Sequence, residues 1–363
     1  MYLKSIENLR GIAIIAIVSC HLFKFGLVDN DLTTSFIKNT LVGTSALYVF
    51  ISGYMFHYVF YKRFKYRWFI VKKLKAIAIP YFVLSTLAIF LLWNFNMGYF
   101  TPIENMRDPI EAFRNGNIFS PGDSTFEIII KYYASGRMMT AYWYIPFAIL
   151  LFLSSPLHVK FIEASLKTKV YVVVFLSILA LFAHRPVSVT NPLHSYLFYT
   201  PFYLYGIVFS IYKDEMISFI RSKIKLLIFI VIMLISTQVY LGDVGNYTKP
   251  LFYYDGMDLQ FLQKVAFIAV LFCVFEKYTF NNHIITTLSK FSFSIYLIHP
   301  WVILVLFHLG NQFGYLNNDR TEENNIALFI FMTGLVLFTS VAIAATFKWL
   351  LRGNRRTIYI TGY

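Results

Sequence analysis

The chain is short of charge. Only 14% of its 363 residues are Asp, Glu, Lys or Arg, against about a quarter in a soluble globular domain, and that scarcity excludes a soluble fold. Acid is scarcer than base: 18 Asp and Glu stand against 32 Lys and Arg, for a net charge of +14. The basic residues alternate from loop to loop instead of forming one stripe, which argues against a nucleic-acid partner. Cysteine is nearly absent. Cys20 and Cys273 both fall inside apolar runs, so no disulfide framework and no metal-ligand spacing is expected, and the two thiols read as small buried hydrophobes. No cleavable leader is expected, because Glu7 and Arg10 interrupt the start of the first apolar run and no small-x-small site follows it. Internal repeats, low-complexity tracts and a second soluble domain are also missing. The chain therefore reads as a single domain over residues 1–363, and the lack of a repeat counts mildly against a secondary transporter.

What it has in abundance is apolar sequence: 58% hydrophobic and 20% aromatic residues. Ten segments approach the ~20 residues a bilayer requires: 6–27, 41–61, 76–97, 141–157, 170–184, 195–212, 224–241, 259–276, 291–310 and 326–350. The fifth is short enough to be re-entrant or tilted. The predicted fold is an all-α polytopic integral membrane protein of about ten transmembrane helices around an internal cavity. Alternate loops obey the positive-inside rule. Lys62, Arg63, Lys65, Arg67, Lys72, Lys73 and Lys75 follow the second segment, and Arg352, Arg355 and Arg356 end the chain, while the opposite loops carry mostly acids such as Asp29, Glu104 and Glu322. Both termini are thereby expected in the cytoplasm. The long loop 98–140, rich in Gly and Pro, faces out, with a short interfacial helix expected near Phe126 to Tyr133.

Three places carry chemistry. Arg10 and His21 flank the first apolar run. Eleven residues turn a helix by about 1,100°, so both side chains leave one face, ~16 Å apart along it. Polar groups inside a bilayer need a partner or a wet cavity, and two on one face suggest a shared channel; the alternatives are an edge anchor for Arg10 and a packing role for His21. In the ninth segment, Ser294-Ile-Tyr296-Leu-Ile-His299-Pro300 places a histidine ~13 Å into the membrane. Pro300 leaves the carbonyl of Tyr296 without its helical donor, and a kink is expected there. His299 is read either as a functional group or as a tie to a neighbouring helix. The basic stretch Lys62–Lys75 suits either anionic lipid or a phosphate-bearing donor, with Arg67, Lys72, Lys73 and Lys75 as its candidate ligands. Ser52-Gly53 reads as a close helix contact.

These residues resemble a known family. Leu9-Arg10-Gly11-Ile-Ala13 with His21 is similar to the arginine-x10-histidine signature of the membrane acyltransferase-3 family, and Phe50-Ile-Ser52-Gly53-Tyr54, Ile79-Pro80-Tyr81, Trp143-Tyr144 and the His299-Pro300 block follow in family order. The resemblance implies a multi-pass enzyme of the bacterial inner membrane. It would move an acyl group, usually acetyl from cytoplasmic acetyl-CoA, to a sugar hydroxyl of a glycan or lipid-linked saccharide such as O-antigen, lipopolysaccharide or exopolysaccharide. The family's essential pair falls on Arg10 and His21. Its arginine-x-x-arginine landmark falls on Lys73 and Ala76, which keeps at most part of the charge and none of the bidentate geometry. A histidine often found two residues before the tryptophan is Ala141 here. In the implied chemistry His21, the one first-span residue that is neutral and basic at pH 7, deprotonates the hydroxyl or carries the acyl group itself, and Arg10 meets the phosphates of the acyl-CoA. No metal is called for; membrane lipids complete the set of partners. A glycan flippase or solute transporter is the rival class, and succinyl transfer the rival chemistry on the same fold.

Overall fold

The computed structural model describes residues 3–95, 97, 118–244, 247–313 and 324–350. Among them the elements are helices throughout, apart from one two-residue parallel bridge between β1 (Arg185–Pro186) and β2 (Thr248–Lys249). The protein is an all-α polytopic membrane protein. Each apolar segment of the sequence becomes a helix or a helix pair. These are α1 (Lys4–Cys20), α3 (Ser45–Met55), α4 (Tyr66–Phe95), α6 (Tyr144–Leu153) with α7 (Ser155–Glu163), α8 (Leu166–Ala183), α9 (Pro192–Ile211), α11 (Ile224–Tyr240), α12 (Leu259–Lys277), α14 (Ser292–Gln312) and α15 (Ile326–Leu350). Between them lie the shorter α2 (Leu32–Leu41), α5 (Thr125–Ser135), α10 (Lys213–Ser222) and α13 (His283–Lys290).

Five of these helices (α4, α8, α12, α14 and α15) are by themselves long and apolar enough to cross a bilayer, and α6 with α7 makes a sixth as a pair bent by 55°. The count falls below ten for a physical reason. α1, α3 and α11 are helices of 17, 11 and 17 residues, short of the ~20 a bilayer requires, and α9 interleaves His, Ser, Tyr and Thr with its apolar residues and is buried along much of its length. The segment that bends is the fourth, at Ser154, just ahead of Pro156 in the first turn of α7. The fifth is an uninterrupted helix of 18 residues.

The first span pair and α9 meet through glycine. A Cβ built on Gly53 of α3 would sit 1.9 Å from the carbonyl oxygen of Tyr203, and one on Gly206 of α9 would sit 2.0 Å from that of Phe50. Backbone therefore lies on backbone here, as small-residue contacts between membrane helices permit. Around the crossing, Phe50 packs edge-on against Phe209 and Phe272, and Tyr54 against Phe272. A third close approach seats α1 on α13, where a Cβ at Gly11 would lie 2.8 Å from the carbonyl of Ile285.

Two sequence expectations change form. The basic stretch before the third span is not a loop: α4 starts at Tyr66, so Arg67, Lys72, Lys73 and Lys75 lie on helix. The run from Tyr66 to Ile79 has no Gly or Pro, and its lysines extend a helix readily. The expected kink at Pro300 is likewise absorbed within a single element, since α14 runs from Ser292 to Gln312. The expected interfacial helix is α5, closed by a reciprocal capping box between Ser124 and Glu127. The Ser124 hydroxyl and backbone N–H hold the Glu127 carboxyl below its ordinary value. Most of the long loop (98–117), Asp319, Glu322, Glu323 and the tail arginines lie outside the described residues.

Candidate active site

A cavity of about 430 Å³ opens between α1, α3, α4, α6 and α14, and Arg10 and His21 both line it. Helix α1 is continuous from Lys4 to Cys20, with His21 as the residue that closes it, so the two groups are held ~16 Å apart along a single rigid rod. The rod is fixed at its base by Lys4 Nζ donating to Thr286 Oγ1 (3.0 Å), by Ser5 donating to Glu276, and by Tyr48 OH donating to the carbonyl of Arg10 (3.2 Å).

Arg10 spends one guanidinium nitrogen on Ser292 Oγ, 2.8 Å away at the start of α14. A guanidinium has five N–H donors, and among the described residues no carboxylate lies in ion-pair range of this one. Lys73 lines the same cavity. Its ammonium lies 4.7, 5.2 and 5.8 Å from the ring centres of Phe60, Phe152 and Phe69. Ring faces attract a cation within about 6 Å, so the lysine is held by quadrupoles, and among the described residues it has no carboxylate partner.

The structure divides the basic cluster. Lys73 faces the cavity, whereas Arg67, Lys72 and Lys75 are exposed, and Arg67 and Lys72 line a separate surface depression with Trp68. Lys73 stands four residues after Phe69 and four before Ile77, both cavity-lining, and this interruption of an apolar stripe by one lysine was the signal that set it apart.

At the other end of the cavity, His21 Nδ1 is 3.0 Å from the hydroxyl of Thr140. Its ring lies 5.5 Å, centre to centre, from that of His299. His299 is fully buried. Its Nδ1 is 2.8 Å from the carbonyl of Ile295, which only accepts, so Nδ1 carries the proton and Nε2 is left with a lone pair. Among the described residues that buried Nε2 has no hydrogen-bond partner, an arrangement that is rare and calls for an explanation.

The wall beside the two imidazoles comes from the segment 136–143. Tyr142 OH donates to the carbonyl of Leu297 (2.8 Å) and accepts from Trp301 Nε1 (2.9 Å), and Tyr296 OH donates to the carbonyl of Ala141. Ala141, itself on the cavity wall, has φ +67°, an uncommon conformation for a residue with a Cβ. Such strain persists only where the surroundings over-determine it, and the bonds to α14 do so. Thr140, Tyr48, Ser292 and Tyr142 were not singled out in the sequence. Each acts through a partner between 38 and 282 positions away, and no local pattern marks such contacts.

The cavity thus offers cations at one end, imidazole at the other, and mostly apolar wall between. Among the described residues no group of His, Cys, Asp and Glu is placed to hold a metal ion. No curated protein and no solved structure matches the chain. The family model described as an acyltransferase domain matches residues 3–345, and the chain belongs to that family, acyltransferase-3.

Proposed function

We propose that this member of the acyltransferase-3 family is an O-acetyltransferase of the bacterial inner membrane, moving acetyl from cytoplasmic acetyl-CoA to a hydroxyl of a cell-surface glycan or its lipid-linked precursor. The observation that carries the reading is that Arg10 and His21, at opposite ends of one helix, line one cavity together with Lys73. The loop charges supply the direction: base-rich loops stay inside, which puts Arg10 and Lys73 toward the cytoplasm, His21 toward the outside and both termini in the cytoplasm.

The chemistry follows from the placement. Arg10 and Lys73 hold the phosphates of the donor, since clustered cations in a poorly hydrated site meet phosphate well. The pantetheine arm is long, thin and only weakly polar, and it runs along the apolar wall for ~16 Å, the rise from Arg10 to His21. At the far end His21, held at Nδ1 by Thr140, takes the proton of the sugar hydroxyl on Nε2. The oxygen attacks the thioester carbonyl, the C–S bond breaks, and the CoA thiolate leaves with the proton that His21 gives up. The lone pair of His299 faces no donor until His21 is protonated, and its ring is the nearest imidazole to the one that becomes positive. It serves as hydrogen-bond acceptor to that imidazolium, directly or through one water. Helix α5 and the strained segment around Ala141 shape the acceptor's side of the site.

The test is glycan mass spectrometry of a deletion strain complemented with the wild-type gene or an empty vector. Acetyl units that appear only with the gene support the reading. Unchanged modification with lost surface glycan would replace it by transport, and a 100 Da rather than 42 Da increment, as for succinyl against acetyl on a hydroxyl (about these values by atomic mass), would change the acyl group.

A further inference from the structure

The three cations that turn away from the cavity need an account of their own. Lys65, Arg67, Trp68, Val71 and Lys72 line a surface depression of about 580 Å³, and Lys72 Nζ lies 4.8 Å from the Trp68 ring centre. Lys75 is exposed one turn further on. Helix α4 contains no Asp or Glu, and among the described residues none of these four cations makes an ion pair. A concentration of unpaired positive charge is therefore presented outward.

The spacing says what it is presented to. Side chains three or four apart share a helix face. From Trp68 and Val71 the exposed face continues through Lys75 to Ile79, Phe82, Thr86, Phe90 and Trp93, all exposed. From Lys72 to Trp93 is 21 residues, about 32 Å of helix, close to the ~30 Å hydrocarbon thickness of a bilayer. The cations thus stand at the head of a stripe that faces acyl chains, with a tryptophan at each end of the stripe, where interfacial aromatics belong. A soluble anion would use the head of this stripe and leave its length bare. A molecule with an anionic phosphate head and two acyl chains covers the head and the half of the stripe that lies in its own leaflet.

We infer that the N-terminal turns of α4 form a binding site for an anionic phospholipid, with Arg67, Lys72 and Lys75 around the phosphate and the chains lying along Ile79 and Phe82 in the same leaflet. The site is separate from the donor's cavity and stands whether or not that reading holds. It also divides the basic cluster by function: Lys73 inward to the cavity, its neighbours outward to lipid.

Native mass spectrometry of the full-length protein in detergent tests it, with phosphatidylglycerol and phosphatidylcholine supplied at equal concentration. The wild type is expected to retain phosphatidylglycerol in about threefold or greater excess, as the attraction of clustered cations for anionic headgroups implies. The triple variant R67Q/K72Q/K75Q is expected to lose that excess, the single variants Arg67→Gln and Lys72→Gln to lose part of it, and Lys73→Gln to keep it. Equal uptake of the two lipids by the wild type, or an undiminished excess in the triple variant, would overturn the inference. In phosphatidylcholine nanodiscs the triple variant should bind acetyl-CoA, measured by titration calorimetry, as the wild type does. Weakened acetyl-CoA binding there would reassign the face to a soluble phosphate donor and overturn the lipid site.

Discussion

Replacing Arg10 by Gln isolates the donor end of the cavity. The substitution removes one charge and the rigid fork but keeps an amide of similar reach. A hydrogen bond to a charged group contributes about 1.5–3 kcal/mol, and each 1.4 kcal/mol is about tenfold, so the KM for acetyl-CoA should rise by roughly 10- to 100-fold. The turnover number should change little, because in the proposed reaction the thioester reacts ~16 Å further along α1 and a contact made equally in ground and transition states alters KM alone. Arg10 also donates to Ser292, so part of any effect could come from a loosened α1–α14 contact. Ser292→Ala removes that contact and leaves the guanidinium in place; it should lower thermal stability, since the bond lost is one to a charged group, and leave the donor KM within about threefold, since the charge that meets the donor remains. Lys73→Gln should raise the same KM, and in the double variant the two effects should fall short of additive, since both cations meet one phosphate group. The assay is acetyl transfer in inverted membrane vesicles with acetyl-CoA as the varied reagent. An unchanged KM with a collapsed kcat in Arg10→Gln would refute the phosphate role and move the arginine to the reacting centre or to the scaffold.

Three other perturbations probe separate links. Ala at Gly206 would put a Cβ 2.0 Å from the carbonyl oxygen of Phe50 and force α3 and α9 apart, so expression or thermal stability in detergent should fall by an amount in the upper range of overpacking, about 3 kcal/mol or more; wild-type stability would deny the backbone contact. His299→Phe should move the acidic limb of the pH–rate profile and lower kcat by roughly tenfold, His299→Gln should restore part of the loss because its amide can accept, and donor KM should be unaffected in both; equal loss in the two variants with no change in the pH profile would reduce His299 to packing. At α5 the bonded Glu127 carboxyl sits below its usual value, so its contribution is present above the unfolded carboxylate range and lost as pH falls through the lower folded value. Relative to its intrinsic rate, exchange at the Ser124 amide, which donates to the Glu127 carboxylate, should accelerate at low pH in the wild type, and exchange at the Glu127 amide, which donates to the Ser124 hydroxyl, should be fast at every pH in Ser124→Ala; pH-independent protection of the Ser124 amide in the wild type would contradict the capping box.

Most of the scaffold could be read before any coordinates existed, because a bilayer allows few backbone solutions. The apolar runs had to be helices, and the segment limits 224–241 and 259–276 fall within one residue of α11 and α12. Gly53 announced a close helix contact, although not that Gly206 answers it from the other side. Arg10 and His21 were legible from their spacing alone, as eleven residues is close to three turns. What was not legible depends on the third dimension. Hydropathy could not tell which helices are interior, so α1 and α9 were counted like lipid-facing spans. The bend at Ser154 and the π-helical turn at Phe56–Phe60 are local departures that no periodicity marks. Read as a loop, the basic cluster forms one unit. Once α4 is helical from Tyr66, a register difference of one residue sends Lys72 to the lipid face and Lys73 to the cavity. Thr140, which holds His21, belongs to a segment positioned only by its bonds to α14.

The central claim is a division of labour along α1, with the arginine binding the donor and the histidine performing the transfer. It is tested most directly by measuring, on one preparation of the His21→Ala protein, both the calorimetric dissociation constant for acetyl-CoA and the acetyl content it adds to the glycan. Donor binding within about threefold of wild type, as expected when the lost group lies ~16 Å from the phosphates, together with no acetyl added, is the result expected. Near-normal acetylation by this variant, or loss of donor binding along with transfer, would contradict it.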